Sequence, residues 1–259
     1  MNLELEGKRA WVLGGSSGLG RAVAEALLRE GATVAISSRP GERLESTARS
    51  IGASAVPLDV SAGRAEIETA CEAATTALSG LDIVVVNHGG PTPGGFDAID
   101  DDSFRRAYEL VLASAFRVTK AAVPHLRRRG GGVVLYVTST TTKEIMPELF
   151  LSNTMRAGVV GMMKTFSRQL AGDGIRLLCA APGRISTDRT ASVDKANADR
   201  EGRSIDDIRQ RSQASIPLAR YGRPEEFGSV AAFLVSARAS YMTGCSVVVD
   251  GGMLTSLLS

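Results

Sequence analysis

A chain of 259 residues in which 44% are hydrophobic and 22% charged has an ordinary soluble composition, with apolar mass for one sizeable core or two smaller ones. Thirty basic against 28 acidic residues leave a net charge of +2, which gives no reason to expect a nucleic-acid or membrane surface. No apolar run approaches the ~20 residues of a membrane span. The polar, acidic start Met1–Lys8 is unlike a secretory signal, so the expected location is the cytoplasm.

In chain order, short apolar or β-branched runs alternate with longer amphipathic stretches. The expected strands are Arg9–Leu13, Thr33–Ser37, Ser54–Leu58, Ile83–Asn87, Val133–Thr138, Arg176–Ala180 and Ser246–Val249. Most are continuous apolar runs, as in a parallel sheet covered on both faces. Between them, Phe104, Tyr108, Val111, Ala115, Val118, Ala122 and Leu126 recur at helical spacing, as do Met155, Val159, Met162, Phe166 and Leu170. The alternation predicts an α/β fold of the Rossmann type: a doubly wound parallel sheet of about seven strands with helices on both faces. No linker or repeat divides the chain, so residues 1–259 are read as a single dinucleotide-binding domain. Ile185–Arg220 alone lacks a strong period and holds one weakly helical piece, Ser204–Ser212, which reads as a substrate-side lid near residues 185–220 or as a mobile surface insertion. Cys71, Cys179 and Cys245 are scattered and odd in number, which suggests buried free thiols in a reducing compartment and no metal site.

The first chemical signal is Gly14-Gly15-Ser16-Ser17-Gly18-Leu19-Gly20, placed after a strand and opening a helix. Gly14 permits a tight turn, Gly18 lets backbone approach a pyrophosphate, and Gly20 lets helix and strand pack closely. Free amides at the helix start favour the phosphates. At the end of the second strand an NAD site usually carries Asp or Glu, whereas this chain has Ser37-Ser38-Arg39. Guanidinium and hydroxyl groups suit a 2′-phosphate, so NADP(H) is preferred over NAD(H).

These residues lead to a family. Gly14-xxx-Gly18-x-Gly20, Asp59-Val60, Asn87-His88-Gly89-Gly90, Ala181-Pro182-Gly183-Arg184-Ile185-Ser186-Thr187 and Gly244–Gly252, in that order, resemble the short-chain dehydrogenase/reductase family along nearly the whole chain. The resemblance implies cofactor contacts from Gly14, Ser16, Ser17, Gly18, Leu19, Gly20, Ser38, Arg39, Asp59, Val60, Asn87, Arg156, Pro182, Gly183, Ile185 and Thr187. It also implies a small-molecule carbonyl or alcohol substrate and assembly as a homodimer or homotetramer. Leu13, Ser17 and His88 depart from the family's usual residues at their positions.

The larger departure is catalytic. The family uses a Ser, a Tyr, a Lys four residues later and an Asn on the preceding long helix. Alignment on Arg156-Ala157-Gly158-Val159-Val160-Gly161 puts Arg156 at the Lys, Ser152 at the Tyr, Ser139 at the Ser and Val111 at the Asn; no Tyr lies between Ser139 and Arg156. Ser139, Ser152 and Arg156 are therefore the candidate catalytic residues. Arg156 keeps a positive charge for the ribose, while Ser152 is a weaker and shorter proton donor than a phenol. Lys143, Glu144 and, less readily, His88, expected nearer the adenosine, are substitute donors; strand alternation turns Tyr136 away. Arg184 and Arg189 flank the nicotinamide-side motif, where one would meet an anionic substrate group or both would be solvated. Arg127-Arg128-Arg129 suit a helix C-terminus better than the docking of an acidic carrier. The expected function is an NADP(H)-dependent oxidoreductase with Ser and Arg replacing Tyr and Lys. The alternatives are a cofactor-binding sensor or partner subunit with little redox activity, and non-redox chemistry on the same scaffold.

Overall fold

The computed structural model describes residues 2–256. Seven parallel strands form one sheet: β1 (Arg9–Leu13), β2 (Thr33–Ser38), β3 (Ser54–Pro57), β4 (Ile83–Val86), β5 (Gly132–Val137), β6 (Ile175–Pro182) and β7 (Cys245–Val249). Their order is β3-β2-β1-β4-β5-β6-β7, so the winding direction reverses between β1 and β4. Strand identities are those expected, with ends shifted by a residue or two. The widest revision is at β6, which runs on to Pro182 and carries the chain directly to the Gly183–Thr187 turn.

Side-chain alternation divides each strand between two cores. Trp11 and Leu13 face α3 (Arg64–Leu78), α5 (Ser114–Arg128) and α6 (Phe150–Gln169); Ala10 and Val12 face α1 (Gly18–Arg29), α2 (Glu42–Ile51) and α9 (Pro224–Val235). Tyr136 lies in the first of these cores, with its hydroxyl 2.6 Å from Thr119 Oγ1, so it is turned away from Ser139 as alternation requires.

Two elements depart from the sequence reading. The long stripe beginning at Phe104 is not one α-helix: α4 (Asp101–Ala107) passes into α5 through a π-helical segment, Tyr108–Ala113. The wider turn accommodates extra chain and resets the helical phase. Val111, Ala115 and Val118 are fully buried, while Phe104 and Tyr108, which the stripe would have buried, are 41% and 43% exposed. The second departure is Ile185–Arg220, which contains two helices, α7 (Asp188–Glu201) and α8 (Ile205–Ala214). Each is capped by its hydroxyl, Thr187 accepting from Thr190 N and Ser204 from Asp207 N. Of α7 only Asp194 and Ala198 are buried, so an apolar period could not reveal it.

No helix among the described residues is long and apolar enough to cross a membrane. All three cysteines are free thiols. Cys71 and Cys179 are buried, with thiols pushed up to about 12 by burial, whereas Cys245 is half-buried rather than fully enclosed.

Candidate active site

The carboxyl ends of β1 and β4, where the strand order reverses, open into a cavity of about 780 Å³. A crevice at this topological position, in this size range, is the usual dinucleotide site of doubly wound sheets. Its floor is the glycine turn. Gly14 and Gly18 have φ of +61° and +53°, the left-handed region that disfavours side chains. A Cβ on Gly20 would lie 2.2 Å from Gly14 O, so the helix can approach the turn only without one. Ser17 begins α1 in extended conformation and makes no side-chain cap, leaving the first helical amides open toward the cavity. Over Gly18 stands the Thr187 side chain, 3.7 Å from where a Cβ would be. These features form a cradle for a pyrophosphate.

Gly14, Ser16, Ser17, Gly18, Leu19, Ser38, Arg39, Asn87, Arg156, Pro182, Gly183, Ile185 and Thr187 all line this cavity, with Ser139 and Ser152. Gly20, Asp59 and Val60 are not among the lining residues. Gly20 packs beneath the turn, and Asp59 Oδ1 accepts from Ser61 N and Oγ at 2.9 and 2.6 Å. The Ser61 hydrogen bonds lower the Asp59 pKa against its partial burial, with Arg39 a further, smaller contributor. Ser37 is unavailable to a ligand because it is fully buried and accepts from Trp11 Nε1 at 2.8 Å.

At the catalytic end, Ser139 caps a short 3₁₀ turn (Thr140–Thr142), its Oγ accepting from Thr141 N at 3.2 Å. Ser152 Oγ lies 3.4 Å from Thr141 Oγ1, a contact with a residue the sequence reading missed and that no motif marks. One helical turn further on, Arg156 is 8% exposed. Its Nη1 donates to the carbonyls of Val137 and Thr138, each at 2.9 Å, and its buried Nε has no partner. Burial, and then the charge of Arg189, pull its pKa down to about 10, which still leaves it protonated at neutral pH. Arg156 is thus a fixed, unneutralised cation at the end of β5.

The substitute donors sort differently from expectation. Lys143 and Glu144 do not line the cavity, and Glu144 Oε2 lies 3.4 Å from Thr255 N. His88 does line it, and stands near enough to Arg156 for that charge to reach it rather than belonging to the adenosine end alone. Burial first, then Arg156, hold its imidazole far below the ordinary value. Its Nδ1 is 2.9 Å from Gly89 O. A carbonyl only accepts, so Nδ1 carries the proton and Nε2 a lone pair. His88 is an acceptor here.

The arginines are equally distinct. Arg184 pairs with Asp194 at 2.9 Å; that carboxylate is 1% exposed and also accepts from Tyr221 OH at 3.0 Å. Arg189 instead donates to Pro91 O at 3.1 Å. Arg127, Arg128 and Arg129 meet Asp173, His125 and Asp82, so each has a partner of its own at the end of α5.

Residues 14–254 match the family described as Enoyl-(Acyl carrier protein) reductase. Nodulation protein G of Rhizobium sp. (strain N33) is 32% identical over 252 residues, covering 96% of this chain and 98% of that one. L-sorbose reductase from Gluconobacter frateurii, solved with NADPH and L-sorbose, superposes with a TM-score of 0.93 at 30% identity, covering 99% of this chain and all of that one. A 7α-hydroxysteroid dehydrogenase solved with NADH and 7-oxo glycochenodeoxycholic acid gives 0.88 at 29% identity, covering 99% and 98%. With the seven-stranded sheet, the glycine cradle and these likenesses together, the chain belongs to the short-chain dehydrogenase/reductase family, oxidoreductases that bind nicotinamide dinucleotides.

Proposed function

We propose that the protein is an NADP(H)-dependent oxidoreductase that interconverts a carbonyl and an alcohol, with Arg156 and Ser152 in the places of the family's Lys and Tyr. The observation that carries this reading is one continuous cavity with the glycine cradle and Arg39 at one end and Ser139, Ser152 and Arg156 at the other. When bound, the nicotinamide supplies or receives the hydride. Ser139 donates a hydrogen bond to the carbonyl oxygen, and the permanent charge of Arg156 holds the ribose and stabilises negative charge as it develops on that oxygen. The matching proton comes from Ser152, replenished through Thr141, or from water. Ser139, Ser152 and Arg156 are therefore the proposed catalytic residues. Loss of a positioned phenol lowers the rate by roughly 10²- to 10⁴-fold against a family member that has one. α7 and α8 form the proposed substrate-side lid.

NADP(H) is preferred over NAD(H) because Arg39 is exposed at the cavity mouth beside Ser38, with Arg43 also in the lining, and no Asp or Glu stands at the end of β2, where Ser37-Ser38-Arg39 lie, to repel a phosphate. Replacing Arg39 with Ala is expected to weaken NADPH binding about 10- to 100-fold and NADH binding little, by fluorescence titration. Equal losses for both cofactors would remove the preference. Phe104 beside Phe150 and Phe116 beside Phe166 leave a half-exposed aromatic seam along α4, α5 and α6, which suits a homodimer or homotetramer. Sedimentation as a monomer at micromolar concentration would rule this assembly out.

The test of the activity is NADPH oxidation across a panel of ketones, aldehydes and oxo acids. Turnover on at least one member is expected. Tight NADPH binding with no turnover on any would favour a cofactor-binding sensor or partner subunit instead.

A further inference from the structure

Among the described residues, five arginines line the cavity (Arg39, Arg43, Arg156, Arg184 and Arg189), against a single acid, Asp188. Two of the five are answered within the protein, Arg43 by Asp188 at 2.8 Å and Arg184 by Asp194 at 2.9 Å. Arg39 stands at the adenosine end. Arg156 and Arg189 remain, hydrogen-bonded only to the carbonyls of Val137, Thr138 and Pro91 and close enough for one charge to act on the other. Two neighbouring guanidinium groups with no carboxylate are unfavourable in the empty protein, and an incoming anion would relieve both.

The cofactor does not account for that anion. Its phosphates are placed by the open start of α1 and by Arg39, and a reduced nicotinamide ring is neutral. Arg189 lies against the β4–α4 loop, its Nη2 2.9 Å from where a Cβ of Gly90 would be, so Gly90 is what lets the guanidinium settle over this wall. Met146, Leu149, Val193 and Met253 add apolar surface to the lining. They suit a hydrocarbon body.

We propose that the substrate is an oxo carboxylic acid with an apolar chain, its carboxylate held by Arg189, with Arg156 contributing, and its oxo group presented to Ser139. This rests on the redox reading above and narrows it. Reduction takes one hydride from NADPH to the oxo carbon and one proton to its oxygen, giving the hydroxy acid and NADP⁺.

The test uses the full-length NADPH-loaded protein with α- and γ-oxo-octanoate, their methyl esters and dihydroxyacetone phosphate, each followed by calorimetric binding and by NADPH oxidation. The acids are expected to exceed their esters by about 10- to 100-fold in affinity and in kcat/KM, the scale of charge-assisted hydrogen bonds. Arg189→Met should bring that ratio toward one, mainly through KM, and Arg189→Lys should retain part of it. Equal handling of acid and ester, preference for the phosphate, or loss of NADPH affinity in Arg189→Met with acid preference intact would overturn the assignment. Acid-selective binding without NADPH oxidation would keep the carboxylate site at Arg189 but overturn the reduction and with it the redox reading; oxidation with acid and ester treated alike would keep the redox reading and overturn the carboxylate site.

Discussion

Arg156 and His88 show how a side chain's surroundings decide its role before any ligand arrives. Partial burial in the cavity wall, and then the charge of Arg156, keep the half-buried imidazole neutral, and a carbonyl fixes which nitrogen holds the proton. Its pKa in the folded state lies below the unfolded value of about 6.5, so the unfolded chain binds more protons and the native state loses stability as pH falls below that value. In proton NMR the His88 ring is expected not to titrate between about pH 5 and 8. Arg156→Met should raise its midpoint, because the second cause of the depression is removed. A ring that titrates normally in the wild type would mean that it is hydrated and free of Arg156. None of this was visible in the sequence, where 68 positions separate the two residues. Nor could sequence tell Arg184 from Arg189, since what separates them is a buried acid on α7.

Elements meet through residues chosen for size. At the crossing of α1 and α9, a Cβ on Gly228 would lie 2.5 Å from Ala22 O, a backbone atom that cannot swing aside. Gly228→Ala should cost about 1–3 kcal/mol, read as a lower thermal midpoint. Gly161, in the middle of α6 with open space beside it, is the contrast; Ala there should gain up to ~1 kcal/mol from helix propensity. A loss at Gly161 would show that another surface covers that face. The strands could be read from sequence because burial on both faces leaves unbroken apolar runs such as Ile83–Val86. The glycine turn was equally plain, since its backbone requirement exposes itself as residue type. α7 was hidden because its contacts are polar, and the break before α5 was hidden because Phe104 and Tyr108 keep helical spacing while the backbone does not.

Across the whole molecule, the catalytic end is matched at the amino ends of the central strands by a clasp. Asp82, just before β4, binds Arg9 at 2.7 Å and Arg129 at 3.3 Å, joining the start of β1 to the end of α5. Burial alone would raise the Asp82 pKa, but the hydrogen bonds from Arg9 and Arg129 outweigh it and the value is lowered. Its stabilisation is therefore complete above the unfolded carboxylate value of about 4 and is lost as pH falls through the folded one. Asp82→Asn should cost about 2 kcal/mol in urea unfolding at neutral pH, less than a fully buried pair because both guanidinium groups reach solvent. The difference from wild type should shrink on acidification. A difference that stays constant down to about pH 3 would exclude ionisation as its source.

The π-helical segment between Tyr108 and Ala113 leaves the chain with a residue in reserve. Excising one position there would let the winding close to the regular repeat with α4 and α5 keeping their relative orientation. An equal deletion inside α3 finds no such slack and throws Ile67, Ala70 and Ala74 off the sheet together. Thermal melts of the two shortened chains should separate them, the first remaining folded and the second not.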